Sequence, residues 1–105
     1  MDVKHERPGT MPGPAEWFTG QVWLDVIADA AESPGRLQVY NVHFTPGART
    51  AWHQHDVGQV IYVTEGVGRA QSRGGPVREI RPGRLLYIHD SPKLTAQYVD
   101  VELLK

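Results

Sequence analysis

Cysteine is absent from this chain of 105 residues, so the chain can form neither disulfides nor a thiolate metal site. The charge is nearly balanced, with a formal net value of −1, and lacks the basic excess that binding to nucleic-acid phosphates requires. Long apolar runs are also missing, and the residues after Lys4 and Arg7 are polar and rich in proline and glycine. We therefore expect a soluble cytoplasmic protein with no nucleic-acid partner and no membrane segment.

Short apolar and β-branched runs, separated by turn residues, fill most of the chain. They cover residues 22–27, 37–44, 60–64, 67–71, 77–80, 85–88 and 97–104. Glycine and proline mark the turns between them, and such short, punctuated strands are typical of a sandwich or barrel. We predict a single all-β domain over residues 15–105, preceded by a flexible arm or extended lead-in at residues 1–14. Residues 25–31 are the only segment predicted to form a helical turn.

The strongest chemical signal is a histidine pair framed by two glycines. The pattern is Gly47, five residues, His53-Gln-His55, three residues, Gln59, six residues, Gly66. Side chains two residues apart on a strand project from the same face, and Gln59 can return on the neighbouring strand. Two imidazoles and an amide oxygen suit a divalent transition metal. We therefore predict that the two histidines and Gln59 are metal ligands.

This spacing resembles the first motif of the cupin superfamily, in which a glutamate usually stands at the position of Gln59. Residues 13–20, 45–53 and 74–83 are similar to a bacterial cupin subgroup that uses glutamine there. That subgroup includes manganese-dependent hydroxynitrile lyases. The resemblance implies a single jelly-roll (double-stranded β-helix) barrel that holds a divalent transition metal. Manganese is the metal expected first, with iron, nickel or zinc as alternatives.

The resemblance also implies a reaction in which the metal acts as a Lewis acid on a small organic substrate, as in a hydroxynitrile lyase. A lyase of this kind needs a group that takes the hydroxyl proton. Tyr40, on the inward side of its strand, and Thr50, beside the predicted pocket, are our candidates for catalytic residues. A cupin dioxygenase is a second enzymatic hypothesis, since two histidines and a weak third ligand leave positions open for oxygen.

The C-terminal region departs from the subgroup. Alignment without gaps places Leu94 where a third ligand histidine stands, and Ala96 where a second active-site histidine is often found. Leucine cannot coordinate a metal, and we interpret His89, five residues earlier, as a turn residue. A non-catalytic or degenerate cupin binding module is therefore the alternative to an enzyme. The chain also ends a strand early for the family, and natural shortening, strand exchange in a dimer and a truncated reading frame all remain open.

The strand at residues 60–64 is apolar on both faces. Val60 and Tyr62 alternate with the side chains that share the side of Gln59, and we expect these two to point outward. Something must cover them, either the segment around Trp17 and Phe18 or a second subunit. We favour a homodimer.

Overall fold

The computed structural model describes residues 1–53, 58–88 and 95–99, the last of these as backbone. Within these residues the secondary structure is almost entirely β, and one short 3-10 helix spans Pro34–Arg36. The strands are β1 (Thr10–Pro12), β2 (Phe18–Thr19), β3 (Val22–Ala28), β4 (Val39–Phe44), β5 (Arg49–Thr50), β6 (Gln59–Tyr62), β7 (Gly68–Ser72), β8 (Val77–Ile80), β9 (Leu85–Ile88) and β10 (Thr95–Val99). The predicted all-β fold is confirmed. No helix in the described part of the chain is long and apolar enough to span a bilayer.

The strands form three antiparallel sheets, with orders β1-β3-β4, β2-β5-β10-β7-β8 and β6-β9. In the second sheet β10 lies between β5 and β7, so the last described strand packs into the middle of the sheet. Such non-consecutive neighbours are expected of a jelly-roll, whose distant strands pair side by side.

The hydrophobic core lies against β3. Alternate residues Val22 and Leu24 point inward and are almost fully buried, as is Ala48 from the turn before β5. The rings of Phe18 and Phe44 close this cluster in an edge-to-face contact, with centroids 6.0 Å apart and planes inclined by 73°. The N-terminal aromatic Phe18 is therefore used in the core.

Gly20 lets the turn between β2 and β3 approach the core closely. Its φ is +83°, and a Cβ at this position would lie 3.0 Å from the Cα of Ala48. Only glycine adopts this left-handed conformation without strain and leaves room for the neighbouring backbone.

The structure bears on two expectations about local structure, the helical turn at residues 25–31 and the N-terminal arm. The helical turn predicted over residues 25–31 is wrong for its first four residues, because β3 continues to Ala28 and pairs with β4 up to Val39. A turn does follow, in which the amides of Glu32 and Ser33 both donate to the carbonyl of Asp29. The ladder hydrogen bonds of β3 therefore override a weak helical tendency, and the short helix lies later, at Pro34–Arg36. The extended lead-in is seen at β1, which pairs with β3, whereas the flexibility of the arm and the domain boundary at residue 15 stay predictions.

The outward face of the β1-β3-β4 sheet carries a chain of polar contacts. The hydroxyl of Thr10 donates to Oδ1 of Asp25 at 2.5 Å, and Nε2 of His43 donates to Oδ2 of the same carboxylate at 3.1 Å. The Thr10 hydroxyl, and then the His43 ring, lower the pKa of Asp25 below its usual value of 3.8, because both hydrogen bonds favour the charged carboxylate. His43 therefore has an outward partner.

Candidate metal centre

The backbone after β5 fixes the orientation of His53. Nδ1 of this half-buried histidine lies 2.7 Å from the carbonyl oxygen of Ala51. The amide of Ala51 in turn donates to the carbonyl of Trp17, also at 2.7 Å. The imidazole is therefore held by a carbonyl that is itself anchored to the segment before β2.

This hydrogen bond selects one tautomer of the His53 ring. A carbonyl oxygen only accepts, so Nδ1 must carry the proton and donate it. In the neutral imidazole the lone pair then lies on Nε2. Metal-binding histidines commonly donate their other ring N–H to a carbonyl, which fixes the ring and raises its basicity as a ligand. The described geometry of His53 thus fits the metal-binding role that its sequence position predicts.

Gln59 is the first residue of β6 and pairs in register with Ile88 of β9. It is half-buried and shares its face of the strand with Ile61, whereas Val60 and Tyr62 lie on the opposite face. This alternation matches the sequence prediction. An amide that is half-buried beside an aliphatic side chain is a suitable neutral oxygen ligand.

Three positions that bear on the site, His55, His89 and Leu94, lie outside the described residues. Ala96 lies within β10, where its backbone pairs with Gln71 of β7. Among the residues that the structure describes, no three His, Cys, Asp or Glu side chains form a group that could hold a metal. The convergence of His53, His55 and Gln59 on one ion therefore stays a prediction.

The two candidate catalytic residues differ in their surroundings. Thr50 is half-buried at the end of β5, where it pairs with Phe18, three residues before His53. Tyr40 lies opposite Val26 on β4 and is 41% exposed. The inward direction predicted for this face is seen farther along β4, at Val42 and Phe44, which pack on the core. The catalytic roles of Tyr40 and Thr50 stay predictions.

Sequence reasoning missed the groups that support His53. The Ala51 and Trp17 carbonyls belong to the backbone, and every residue carries such a group, so no residue type signals their role. A second contact, the Arg73 guanidinium 4.9 Å from the Trp52 ring centroid, joins the hairpin after β7 to the residue before His53. The two partners lie far apart in sequence, and no motif links them.

Comparison with known proteins places this geometry in a family. A model described as a cupin domain matches residues 40–91, which include both histidines and Gln59. A protein from Granulicella tundricola named (R)-mandelonitrile lyase is 47% identical over 81 residues, covering 77% of this chain and 61% of that protein. The chain thus spans about three fifths of the length of this relative.

A solved structure extends the similarity to nearly the whole chain. The crystal structure of a cupin-like protein from Thermotoga maritima superposes with a TM-score of 0.81 and 35% sequence identity. The match covers 95% of this chain and 73% of that protein. The strand arrangement, the motif and these similarities lead to one conclusion. The chain is a small member of the cupin family that resembles the hydroxynitrile lyase-like group.

Proposed function

We propose that this cupin binds a divalent transition metal, manganese before iron, through His53, His55 and Gln59, and that it cleaves small hydroxynitriles. The observation that carries the proposal is the hydrogen bond from Nδ1 of His53 to the Ala51 carbonyl, which prepares Nε2 as a ligand. The similarity to a relative named (R)-mandelonitrile lyase supports the choice of reaction.

The ligand set itself is neutral. Two imidazoles and the Gln59 amide would leave a dication with its full formal charge, whereas the glutamate of most cupins would remove part of it. The bound metal would supply Lewis acidity toward an oxygen or nitrile of the substrate. We infer that the exchange of glutamate for glutamine strengthens this acidity and weakens metal retention.

The proposed reaction breaks the bond between the carbinol carbon and the nitrile carbon. The nitrile leaves with the bonding pair, the hydroxyl gives up its proton as the carbonyl forms, and cyanide ends as hydrogen cyanide. A side chain must hold or accept the hydroxyl proton. We propose that the phenol of Tyr40 relays this proton, giving its own proton to the departing cyanide as it takes the one from the substrate hydroxyl. Thr50, half-buried beside the His53 segment, is the proposed hydrogen-bonding group that orients the substrate hydroxyl.

The test uses the purified chain loaded with manganese and supplied with (R)-mandelonitrile, with benzaldehyde and cyanide both quantified. Removing a group that transfers a proton in the transition state typically costs about 10²–10⁴-fold in rate, so we expect Tyr40→Phe to lower kcat by about 100-fold or more. His53→Ala should abolish manganese-dependent turnover. His43→Ala removes a histidine on the outward face and should leave turnover unchanged. Absence of turnover with manganese, iron, cobalt and nickel alike would contradict the proposal.

A second candidate follows from Leu94, the aligned position of the third ligand histidine. If the chain is a degenerate binding module, the wild type will retain little metal and Leu94→His will retain about one equivalent. Oxygen uptake by the iron-loaded chain without turnover of hydroxynitriles would instead favour the dioxygenase hypothesis. Metal retention and turnover in the wild type would exclude the degenerate module.

A further inference from the structure

The outward face of the β6-β9 sheet is an exposed apolar patch. It consists of four side chains that are more than half exposed: Val60 at 63%, Tyr62 at 60%, Leu85 at 54% and Tyr87 at 59%. The opposite face of the same two strands is half-buried. We call these four residues the β6-β9 patch. Because exposed apolar area of this kind is unfavourable in water, such a patch commonly marks an interaction surface.

The size of the patch fits the centre of a modest interface. A tyrosine side chain offers on the order of 200 Å² of surface, so the four side chains together expose roughly 400 Å². Functional patches on monomers are typically about 300–600 Å². Two such patches in contact would bury roughly 800 Å², and the flanking side chains would extend this toward the ~1,200 Å² lower bound of a specific interface.

The segment around Trp17 and Phe18 does not cover this patch. The ring of Phe18 packs against Phe44 in the core, and β2 pairs with β5. Val60 and Tyr62 therefore remain exposed, as they would for a surface whose cover is supplied from outside the chain. Of the two covers that the sequence allowed, the segment around Trp17 and Phe18 is therefore wrong.

We propose that the occupant of the β6-β9 patch is a second copy of this chain, related by a two-fold axis. The register places Val60 opposite Tyr87 and Tyr62 opposite Leu85, so tyrosines and aliphatic residues alternate at the four corners. A two-fold axis in the plane of the patch, along or across the strands, lays each tyrosine over an aliphatic side chain of the other copy. The patch is therefore complementary to itself, as a symmetric dimer requires.

Charge selects between the two axes. A recess of about 550 Å³ lies on the β9 side of the patch, and Arg78, Arg81 and Arg84 line it with a single acidic residue, Glu79. An axis across the strands would bring the two arginine-lined recesses together, and like charges repel at close range. An axis along the strands places each recess over the β6 side of the other copy. In that arrangement Val60 contacts Tyr87 of the second copy.

This inference is independent of the proposed reaction, because the patch lies on the face of β6 opposite to Gln59. The test begins with molar mass by light scattering or sedimentation between about 1 and 100 µM. We expect a dimer at the upper concentrations, in keeping with a Kd on the order of 10 µM. Val60→Glu and Tyr87→Lys should each be monomeric at the same concentrations, since each places a charge against an apolar contact.

Mixing Val60→Glu with Tyr87→Lys tests the direction of the two-fold axis. The mixed dimer would hold one contact between Glu at position 60 and Lys at position 87, and one unchanged contact between Tyr87 and Val60. We expect the mixture to form this dimer although neither variant dimerises alone. Leu37→Glu, which adds the same charge at an exposed apolar position away from the patch, is the matched control and should remain dimeric.

Three results would overturn the proposal. A monomeric wild type at 100 µM would reject a second copy of this chain as the occupant of the patch. Dimers of undiminished stability in both variants would place the interface elsewhere on the molecule. A mixture that stays monomeric would reject the axis along the strands. Circular dichroism of each variant, matched to that of the wild type, excludes unfolding as the cause of a lost dimer.

Discussion

The outward faces of two sheets in this barrel differ in the polarity of their side chains. On the β1-β3-β4 sheet, Asp25 accepts hydrogen bonds from Thr10 and His43, one from each neighbouring strand. On the β6-β9 sheet, all four outward side chains are apolar or tyrosine and remain exposed. The first face combines these polar contacts with the exposed apolar side chains of Trp23 and Ile27, whereas the second has no charged side chain and would gain stability if another surface removed it from water.

The difference lies in the sequence pattern of the strands. In β3, the buried residues Val22 and Leu24 alternate with an outward series in which Asp25 stands between the apolar residues Trp23 and Ile27. In β6 and β9 the outward series contains only aliphatic residues and tyrosines, and Gln59 is the one polar residue of the inward series. Strands that are largely apolar on both faces are typical of sheets covered on both sides. The two faces therefore differ in one respect, a charged residue in the outward series of β3 that β6 and β9 lack.

The largest effect should come from truncating the inward side of β3. Leu24 is nearly fully buried, so Leu24→Ala should lower the free energy of unfolding by about 2–5 kcal/mol. Leu85→Ala removes the same atoms from the exposed patch and should cost less than about 1 kcal/mol when measured on monomer. Denaturant titration at low protein concentration measures both values. Equal losses in the two variants would contradict the contrast between a packed inner face and an uncovered outer one.

A smaller effect should follow from making the β6-β9 patch polar. Tyr62→Ser removes an aromatic ring from the proposed interface, and we expect the dimer Kd to rise by about 10-fold or more. The melting temperature of the wild type should rise with protein concentration, and this dependence should be reduced in the variant. Val39→Ser, at an exposed apolar position on β4, should leave both quantities unchanged. Identical concentration dependence in all three proteins would remove the patch as the association surface.

The smallest effect concerns the polar face. The folded state lowers the pKa of Asp25, so its carboxylate adds stability above its ordinary pKa of 3.8, and this stability is lost as the pH falls through the lower folded value. Below about pH 4, the wild type should therefore lose stability more steeply than Asp25→Asn. Thr10→Val should reduce the slope in part, because it removes the largest cause of the shift. Parallel stability curves for the wild type and Asp25→Asn would contradict this coupling.

The sequence predicted the strands and the family well because both depend on local signals. Glycine and proline turns bounded β8 and β9 at the residues observed, and alternation gave the outward direction of Val60 and Tyr62. The helical turn was predicted to begin too early, at residue 25 instead of Asp29, because pairing between β3 and β4 is a long-range contact. The support of His53 was missed for a related reason, since it comes from backbone carbonyls that no residue type identifies.

The central claim is that His53 is prepared as a metal ligand by the carbonyl of Ala51. Its most direct test is the metal content of the purified chain after incubation with manganese and removal of the excess. We predict about one manganese ion per chain in the wild type and in His43→Ala, and a loss of 10-fold or more in His53→Ala. Equal metal content in the two histidine variants would contradict the claim.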